Sequence, residues 1–335
     1  MEYVRLGETG LEVSPLCLGT WRFGEESGDV VETDREAAHE LLDAFAEAGG
    51  NFIDTANGYG GGNSEKWIGE WLEDQDREDF VIASKCYWSQ VSRFQENLSR
   101  KNVRAEVEGS LERLGTDYLD ILYLHRWDDE TPIENTLRTL DDLVSEGKVH
   151  NIGLSTADGW KLMKGLWKAD VNNYEAFTVT QPMFHAAYKE DVADYLDVAA
   201  DQDLAVCPYS PLAGGFLTGK YERVGDGTYD VDVPEGSRGD ITDVFDDWYV
   251  SERGWHVLDA IREVADEEDA TPAQVALAWL MAQEDFTCVP IVGARTTDQL
   301  EENVGAVEVD LSDEQFDRID QARYAEDGEV YESDE

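Results

Sequence analysis

Four residues able to hold or move a proton stand at or just past the ends of short apolar runs. Asp54 closes Asn51-Phe-Ile-Asp, and Tyr59 follows it in a Gly-rich stretch. Lys85 ends Phe80-Val-Ile-Ala-Ser-Lys, and His125 ends Asp120-Ile-Leu-Tyr-Leu-His. An Asp or Lys at the inner end of an apolar strand is costly to bury alone, so Asp54 and Lys85 are expected to pair. Beside an ammonium a phenolate is stabilised, so Tyr59 is expected to titrate below the usual ~10 and to give up a proton near neutral pH. His125 is expected to aim a neutral N–H at a carbonyl oxygen. The set describes a site that polarises and protonates a carbonyl as a hydride arrives. Taken singly, each residue has a plainer role: a helix cap for Asp54, a loop anchor for Tyr59, a snorkelling stem for Lys85, a core imidazole for His125. The combination carries the chemistry.

Such residues need a frame that brings successive strand ends to one rim. Short β-rich runs alternate with amphipathic stretches along nearly the whole chain. The predicted strands are 16–20, 51–55, 80–85, 120–125, 151–155, 177–181, 205–209 and 287–292. Between them lie predicted helices at 35–48, 65–72, 103–114, 134–146, 159–168 and 192–200. In 103–114, Val103, Val107, Leu111 and Leu114 share one stripe, with Glu106, Glu108 and Arg113 expected to face away. Eight strands in βα alternation predict a (β/α)8 TIM barrel of class α/β, since closing the sheet leaves no edge. An open doubly wound sheet is disfavoured because no GxGxxG turn follows the first strand. The segment Val4–Val13, turning at Gly10, is expected to form a hairpin over the N-terminal end of the barrel. Residues 1–324 are expected to form a single domain with a long loop after strand seven (Gly214–Arg253), and 325–335 an acidic, disordered tail. Strand ends and following loops of such a barrel carry Thr20, Asp54, Lys85, His125, Ser155, Gln181, Tyr209, Ser210, Gly293 and Arg295 on one rim.

With these elements in place, the chain resembles the aldo-keto reductases from about Tyr3 to about Arg323, nearest the general-purpose bacterial and channel β-subunit-like branch. The string Asn51-Phe-Ile-Asp-Thr-Ala-Asn-Gly-Tyr-Gly60 with Ser64-Glu65 matches a family signature. So do Asn151-Ile-Gly-Leu-Ser155, the run from Pro208 to Tyr221, Thr271 to Trp279, and Pro290 to Arg295. The resemblance implies an Asp54-Tyr59-Lys85-His125 tetrad with Tyr59 as general acid, Lys85 lowering its pKa, Asp54 holding Lys85, and His125 orienting the carbonyl. It also implies a nicotinamide dinucleotide bound without a Rossmann domain. Ser155 and Gln181, with Thr156, would hold the carboxamide, and Tyr209 would stack on the nicotinamide. Thr20 and Trp21 would lie alongside. Ser210, Pro211, Leu212, Gly214 and Gly215, with Lys220, would cradle the pyrophosphate. Gly293, Arg295, Gln299, Glu302 and Asn303 would take the adenosine end, with Arg295 placed for a 2′-phosphate. NADP(H) is therefore preferred and NAD(H) left open. Thr156 stands where many members have Asn, and Gly293 and Gln299 where the animal aldose-reductase branch has Lys and Arg.

Composition narrows the remaining choices. The 335 residues carry 75 acidic and 26 basic side chains, a net charge of −49, with 41% hydrophobic residues for a core. Such a surface repels nucleic acid and anionic membranes and reads as adaptation to high salt, where the Debye length falls to ~3 Å at 1 M. No apolar run approaches the ~20 residues of a membrane span. Cys17, Cys86, Cys207 and Cys288 form no CxxC pair, sit in apolar runs, and suit a reducing cytoplasm rather than a disulfide or zinc framework. No metal site is expected. His185 is a candidate for the substrate side, and Trp21, Trp88 and Trp127 are candidates for its apolar lining. The expected activity is NADP-dependent reduction of aldehydes, ketones or sugars to alcohols. The alternative is an NADP(H)-binding redox-sensing module like the channel β-subunits.

Overall fold

The computed structural model describes residues 1–27, 30–91, 96–224, 231–234, 237–241 and 249–324. The apolar runs become β1 (Cys17–Gly19), β2 (Phe52–Asp54), β3 (Val81–Cys86), β4 (Leu119–Leu124), β5 (Val149–Ser155), β6 (Val179–Gln181), β7 (Ala205–Val206) and β8 (Ile291–Val292). All neighbours run parallel, in the order 7-6-5-4-3-2-1-8. The ends join: Val206 N–H donates to Thr287 O at 2.9 Å, and Val206 O accepts from Val289 N–H at 2.9 Å. This closure makes the sheet the barrel of a (β/α)8 fold. β3 and β4 are buried along all six residues each, as strands covered on both faces must be.

The chain divides into two compact units. The first (1–183, 192–209, 284–301) contains the whole barrel with α1 (Arg35–Glu47), α2 (Asn63–Leu72), α3 (Arg100–Leu114), α4 (Ile133–Ser145), α5 (Gly159–Asn172) and α6 (Ala193–Asp201). Side-chain caps set three of these starts: Asp34 accepts from Ala37 N–H, Ser99 from Asn102 N–H, and Asp194 from Gly159 N–H. The hairpin pairs Val4 with Val13 and Arg5 with Glu12. Its Leu6 and Val13, both 0% exposed, enter the same apolar cluster as Cys17, Phe52, Val81 and Ala205, so the hairpin plugs the barrel as expected. At Gly69 a Cβ would meet Arg113 O at 2.4 Å. That glycine lets α2 approach α3 closely.

The second unit (184–191, 210–283, 302–335) packs α7 (Glu252–Glu268) on α8 (Pro272–Met281) and on α10 (Asp313–Ala322). Capping boxes open two of them, Thr271 with Gln274 and Ser312 with Gln315. Trp279 stacks on Phe316 at 5.7 Å. The division between the units in sequence, at 301/302, falls within α9 (Thr297–Val304). The segment expected as a long loop after strand seven contains a short ladder, Glu222–Arg223 with Val231–Asp232, and a helical turn at Arg238–Ile241. Its residues 225–230, 235–236 and 242–248, and the acidic stretch 325–335, lie outside the described residues.

One expectation for α3 is corrected. Its apolar stripe is buried, but Glu106 does not face solvent: it is 0% exposed, alongside Asn102 and Ser110. Glu108 is exposed and pairs with Lys148, while half-buried Arg113 pairs with buried Glu65 at 2.7 Å. Among the described residues no helix is long and apolar enough to cross a membrane. No group of His, Cys, Asp and Glu there could hold a metal ion. All four cysteines are free and buried.

Candidate active site

Parallel strands of a closed barrel deliver their C-terminal ends to one rim, and three of them bring the expected proton-handling residues together. Asp54 ends β2, Lys85 lies one residue from the end of β3, and His125 follows β4, its N–H bonded to Cys86 O at 3.1 Å. Lys85 Nζ donates to Asp54 Oδ1 at 2.5 Å, to Thr55 O at 2.9 Å and to Tyr59 Oη at 3.0 Å. Gln181, at the end of β6, donates from Nε2 to the other Asp54 oxygen at 2.9 Å. The His125 ring stands edge-on to Tyr59 at 5.8 Å and to Trp88 at 4.6 Å between centroids.

Burial lifts Asp54 above the ordinary carboxylate range, and it works against the Lys85 charge as well. Burial is the largest influence on Lys85 and lowers it, but Asp54 and Tyr59 together outweigh it and hold the ammonium above its usual value. With both Asp54 oxygens accepting N–H donors, we read the pair as ionised. Tyr59 corrects the sequence expectation. Burial pushes its phenol upward, Lys85 pulls it down, Asp54 pushes it up again, and the net direction is up. The pull of the neighbouring cation is real, but desolvation of the phenol outweighs it. Tyr59 thus stays protonated at neutral pH, a donor. His125 is driven well below its usual value, first by burial and then by Lys85 and Arg126, so the ring is neutral. Its Nδ1 has no hydrogen-bond partner among the described residues.

A buried shell fixes this group. Thr20 is 0% exposed and its hydroxyl donates to Asp54 O at 2.9 Å. Ser64 bridges Thr20 at 2.7 Å and Thr55 at 2.8 Å. Glu106 accepts from Asn57 Nδ2 at 2.8 Å, Ser89 Oγ at 2.7 Å and the N–H groups of Gln90 and Val91 at 3.1 and 3.3 Å. One carboxylate therefore ties the loop leading to Tyr59 to the loop carrying Trp88. The sequence reading missed it. The signal was there in Asn102, Glu106 and Ser110, polar residues at helical spacing beside the apolar stripe.

The residues expected to hold a dinucleotide fall into two groups. In the first unit Ser155 is buried and donates to Gln181 O at 2.9 Å. Thr156 is exposed in the left-handed region (φ 44), a strained place for a β-branched residue and an easier one for Asn. Tyr209 is half-buried, with its N–H on Pro182 O at 3.0 Å. Trp21 is 39% exposed. Gly293 is exposed, and a Cβ there would meet nothing nearer than Gly19 O at 4.0 Å, so the protein's own packing does not demand glycine. Arg295 is half-buried, and its N–H donates to Gln299 Oε1 at 2.9 Å. In the second unit the backbone turns left-handed at Ser210 (φ 54), Ala213 (φ 49), Gly214 (φ 64) and Gly215 (φ 97), with Leu212 between them at φ −100. Within this turn the Ala213 N–H donates to Ser210 O at 2.9 Å and the Gly215 N–H to Leu212 O at 2.8 Å. Pro211 is buried, and a Cβ on Gly215 would lie 2.9 Å from Lys220 Nζ, so that ammonium flanks the same turn. Asn303 is buried and Glu302 exposed. Taken unit by unit, the residue types present suit parts of a dinucleotide: amide and hydroxyl groups in the first unit, a glycine-rich turn with an ammonium in the second.

Other candidates fall elsewhere. His185 is 2% exposed, titrates near 3 because of burial, and lies against Tyr188 and Tyr249 in the second unit. Trp127 is 9% exposed and lines a separate cavity with Trp160. Of the three tryptophans expected to line a substrate pocket, Trp88 touches the catalytic group, through His125.

Comparison with known proteins follows the same lines. Residues 15–323 match the model of the Aldo/keto reductase family. The chain is 36% identical over 324 residues to norsolorinic acid reductase stcV of Emericella nidulans, covering 93% of this chain and 78% of that protein. It is 34% identical over 325 residues to the oxidoreductase YrpG of Bacillus subtilis (94% and 93%). An aryl-alcohol dehydrogenase of Phanerodontia chrysosporium, named for NADP(+), is 32% identical over 321 residues (92% and 82%). The crystal structure of the thermostable aldo-keto reductase Tm1743 with the inhibitor epalrestat superposes with a TM-score of 0.74 at 29% identity, covering 96% of this chain and all of that one.

Proposed function

The chain belongs to the Aldo/keto reductase family and is an NAD(P)-dependent oxidoreductase, and from that premise we propose that it reduces aromatic aldehydes or ketones with NADPH, Tyr59 giving the proton. The observation that carries this reading is the Lys85 ammonium shared between Asp54 Oδ1 at 2.5 Å and Tyr59 Oη at 3.0 Å. Reduced nicotinamide, when bound, supplies the hydride to the carbonyl carbon. Tyr59 then gives its proton to the carbonyl oxygen, and Lys85 stabilises the phenolate left behind. Asp54 keeps Lys85 charged and in place. The neutral ring of His125 donates to the same oxygen, and a preorganised donor of this kind contributes roughly 10²–10³ in rate. Ser155, Gln181 and Tyr209 would hold the nicotinamide end, the Ser210–Gly215 turn with Lys220 the pyrophosphate, and Arg295 the 2′-phosphate. The aromatic preference rests on Trp88 beside His125 and on the aryl-alcohol substrate in one relative's name.

Tyr59→Phe is the test. It keeps the ring and removes the proton donor, so turnover of a benzaldehyde and acetophenone panel should fall by ~10² or more while NADPH binding, read by fluorescence, persists. Full activity in this variant would refute the assignment. The same titrations with NADH test the cofactor preference, and slow turnover of every carbonyl by the unaltered enzyme with tight NADPH binding would favour the redox-sensing alternative. We also read the surface as adapted to molar salt in a cytoplasm. In support, the buried acids among the described residues are only Asp54, Glu65, Glu106, Asp120 and Asp128, so the charge lies outside.

A further inference from the structure

Arg126 directly follows His125 in the loop that leaves β4, and its side chain is exposed. Its guanidinium carbon lies 5.4 Å from the centroid of the Tyr87 ring. Tyr87 stands edge-on to Trp88 at 5.3 Å, Trp88 edge-on to His125 at 4.6 Å, and His125 edge-on to Tyr59 at 5.8 Å. Arg126 thus ends a chain of rings that begins at Tyr59, all of it in the first unit. Its charge is felt inside the site. After burial and Lys85, Arg126 is the third influence that keeps the His125 ring neutral.

In a chain with 75 acidic and 26 basic side chains, a cation without a carboxylate partner is uncommon. Most of the described arginines have one, among them Arg35, Arg77, Arg100, Arg104 and Arg113. Arg126 has none within ion-pair distance among the described residues, and the contact it does make is with the face of Tyr87. The acids that follow it in sequence are held elsewhere or stand further off. Asp128 is 8% exposed and accepts from the N–H groups of Leu98 and Glu130, both at 2.9 Å. Asp129 pairs with Lys161 at 3.3 Å, and Glu130 is exposed four residues on. Glu25 accepts from the Gly60 N–H at 3.4 Å, beside Tyr59. An ion pair would cancel the Arg126 charge locally. An aromatic face holds a guanidinium in place and leaves its charge and its N–H fork to a ligand.

We propose, resting on the carbonyl reduction proposed above, that Arg126 is a specificity-determining residue that binds a carboxylate on the substrate, so that the preferred substrates are aryl aldehydes or ketones carrying a carboxylate beyond the reacting carbonyl. With the carbonyl oxygen at Tyr59 and His125, the aryl body lies against Trp88 and the carboxylate meets the guanidinium, whose two parallel N–H groups match its two oxygens. One unpaired guanidinium balances one negative charge. A carboxylate is therefore matched, whereas a phosphate dianion would leave excess negative charge on a molecule that already carries −49.

The test measures kcat and KM of the full-length enzyme with NADPH, in the salt at which it is active. The substrates are 3- and 4-carboxybenzaldehyde, their uncharged methyl esters, and 4-formylphenyl phosphate. The quantity read is the acid-to-ester ratio of kcat/KM, compared between the native enzyme and Arg126 variants, so that substituent electronics and any general loss of activity cancel. For the better isomer, Arg126→Gln should lower this ratio about fivefold, the upper end for an exposed ion pair. The change should lie in KM rather than kcat and should widen as salt is reduced. Arg126→Lys should keep most of the native ratio, and Arg126→Glu should fall below Arg126→Gln. A merely structural role would move acid and ester alike. A ratio that stays within twofold in Arg126→Gln and Arg126→Glu would overturn the proposal, and so would a larger loss for the phosphate than for the carboxylates. Reduction of the esters alongside such an indifferent ratio removes the carboxylate assignment alone. Failure to reduce any of these aldehydes removes the carbonyl-reductase reading and this proposal with it.

Discussion

Lys85→Met strands Asp54. In the native site the ammonium is 1% exposed and donates to Asp54, Thr55 O and Tyr59. Met keeps the length and much of the volume, so little cavity opens and the loss is chiefly electrostatic. It leaves a carboxylate 3% exposed, with Gln181 Nε2 as its remaining side-chain donor. Breaking a buried pair from one side costs ~3–5 kcal/mol, a large part of a typical ~5–15 kcal/mol. Asp54 can avoid part of this by taking up a proton, which places its folded-state pKa well above the unfolded ~3.9. A group raised in this way stabilises the fold fully below its unfolded pKa, and that stability is lost as pH rises through the folded value. The variant should therefore lie closest to wild type near pH 5 and furthest near pH 8. Asp54→Asn added to Lys85→Met should recover most of the stability and remove its pH dependence, with activity lost in both. Urea unfolding followed by tryptophan fluorescence at both pH values measures this, urea being uncharged. The reasoning fails if Lys85→Met stays within ~1 kcal/mol of wild type at both pH values, or if the double variant is no more stable than the single one.

Three further outcomes are expected. Because burial drives His125 well below ~6.5 and lifts Tyr59 above ~10, the rate of carbonyl reduction should be flat from pH 6 to 9 and fall only at higher pH; a limb near 6.5 in the kcat profile would contradict the neutral His125. Glu106→Ala removes the acceptor of Ser89 Oγ and of the N–H groups of Gln90 and Val91 and leaves Asn57 Nδ2 with Trp88 O alone, so urea unfolding should show a loss of ~3 kcal/mol, with Glu106→Gln losing less. Activity and urea midpoint should both rise with KCl from 0.1 to 1 M, as the Debye length drops from ~10 to ~3 Å; a steady fall over that range would refute the salt-adapted reading of the surface.

The strand-end residues were legible because βα alternation has a strict spatial consequence. Parallel strands in a closed sheet put Asp54, Lys85, His125, Ser155 and Gln181 at like ends, so residue type at the end of each apolar run already implies a shared rim. The Val4–Val13 plug was legible for a similar reason, since a two-strand apolar segment with no helix to follow must cover something. The sequence by itself therefore determined the barrel, the residue types at its rim and the excess of surface carboxylates. Tertiary structure decided what depends on burial in three dimensions. The direction of Tyr59 turns on how far its phenol is desolvated against the pull of a single ammonium. Glu106 is buried because α3 meets loops from two other strands, where five N–H and O–H contacts replace water. Thr156 is left-handed because of the turn that leaves β5. Trp160 and Trp167 are exposed on α5 while Leu162 and Leu166 are buried, a choice that periodicity left open because it marks two apolar sides of that helix. Pattern along a chain fixes direction and spacing; solvation depends on which neighbours arrive from elsewhere, and only the folded packing supplies those.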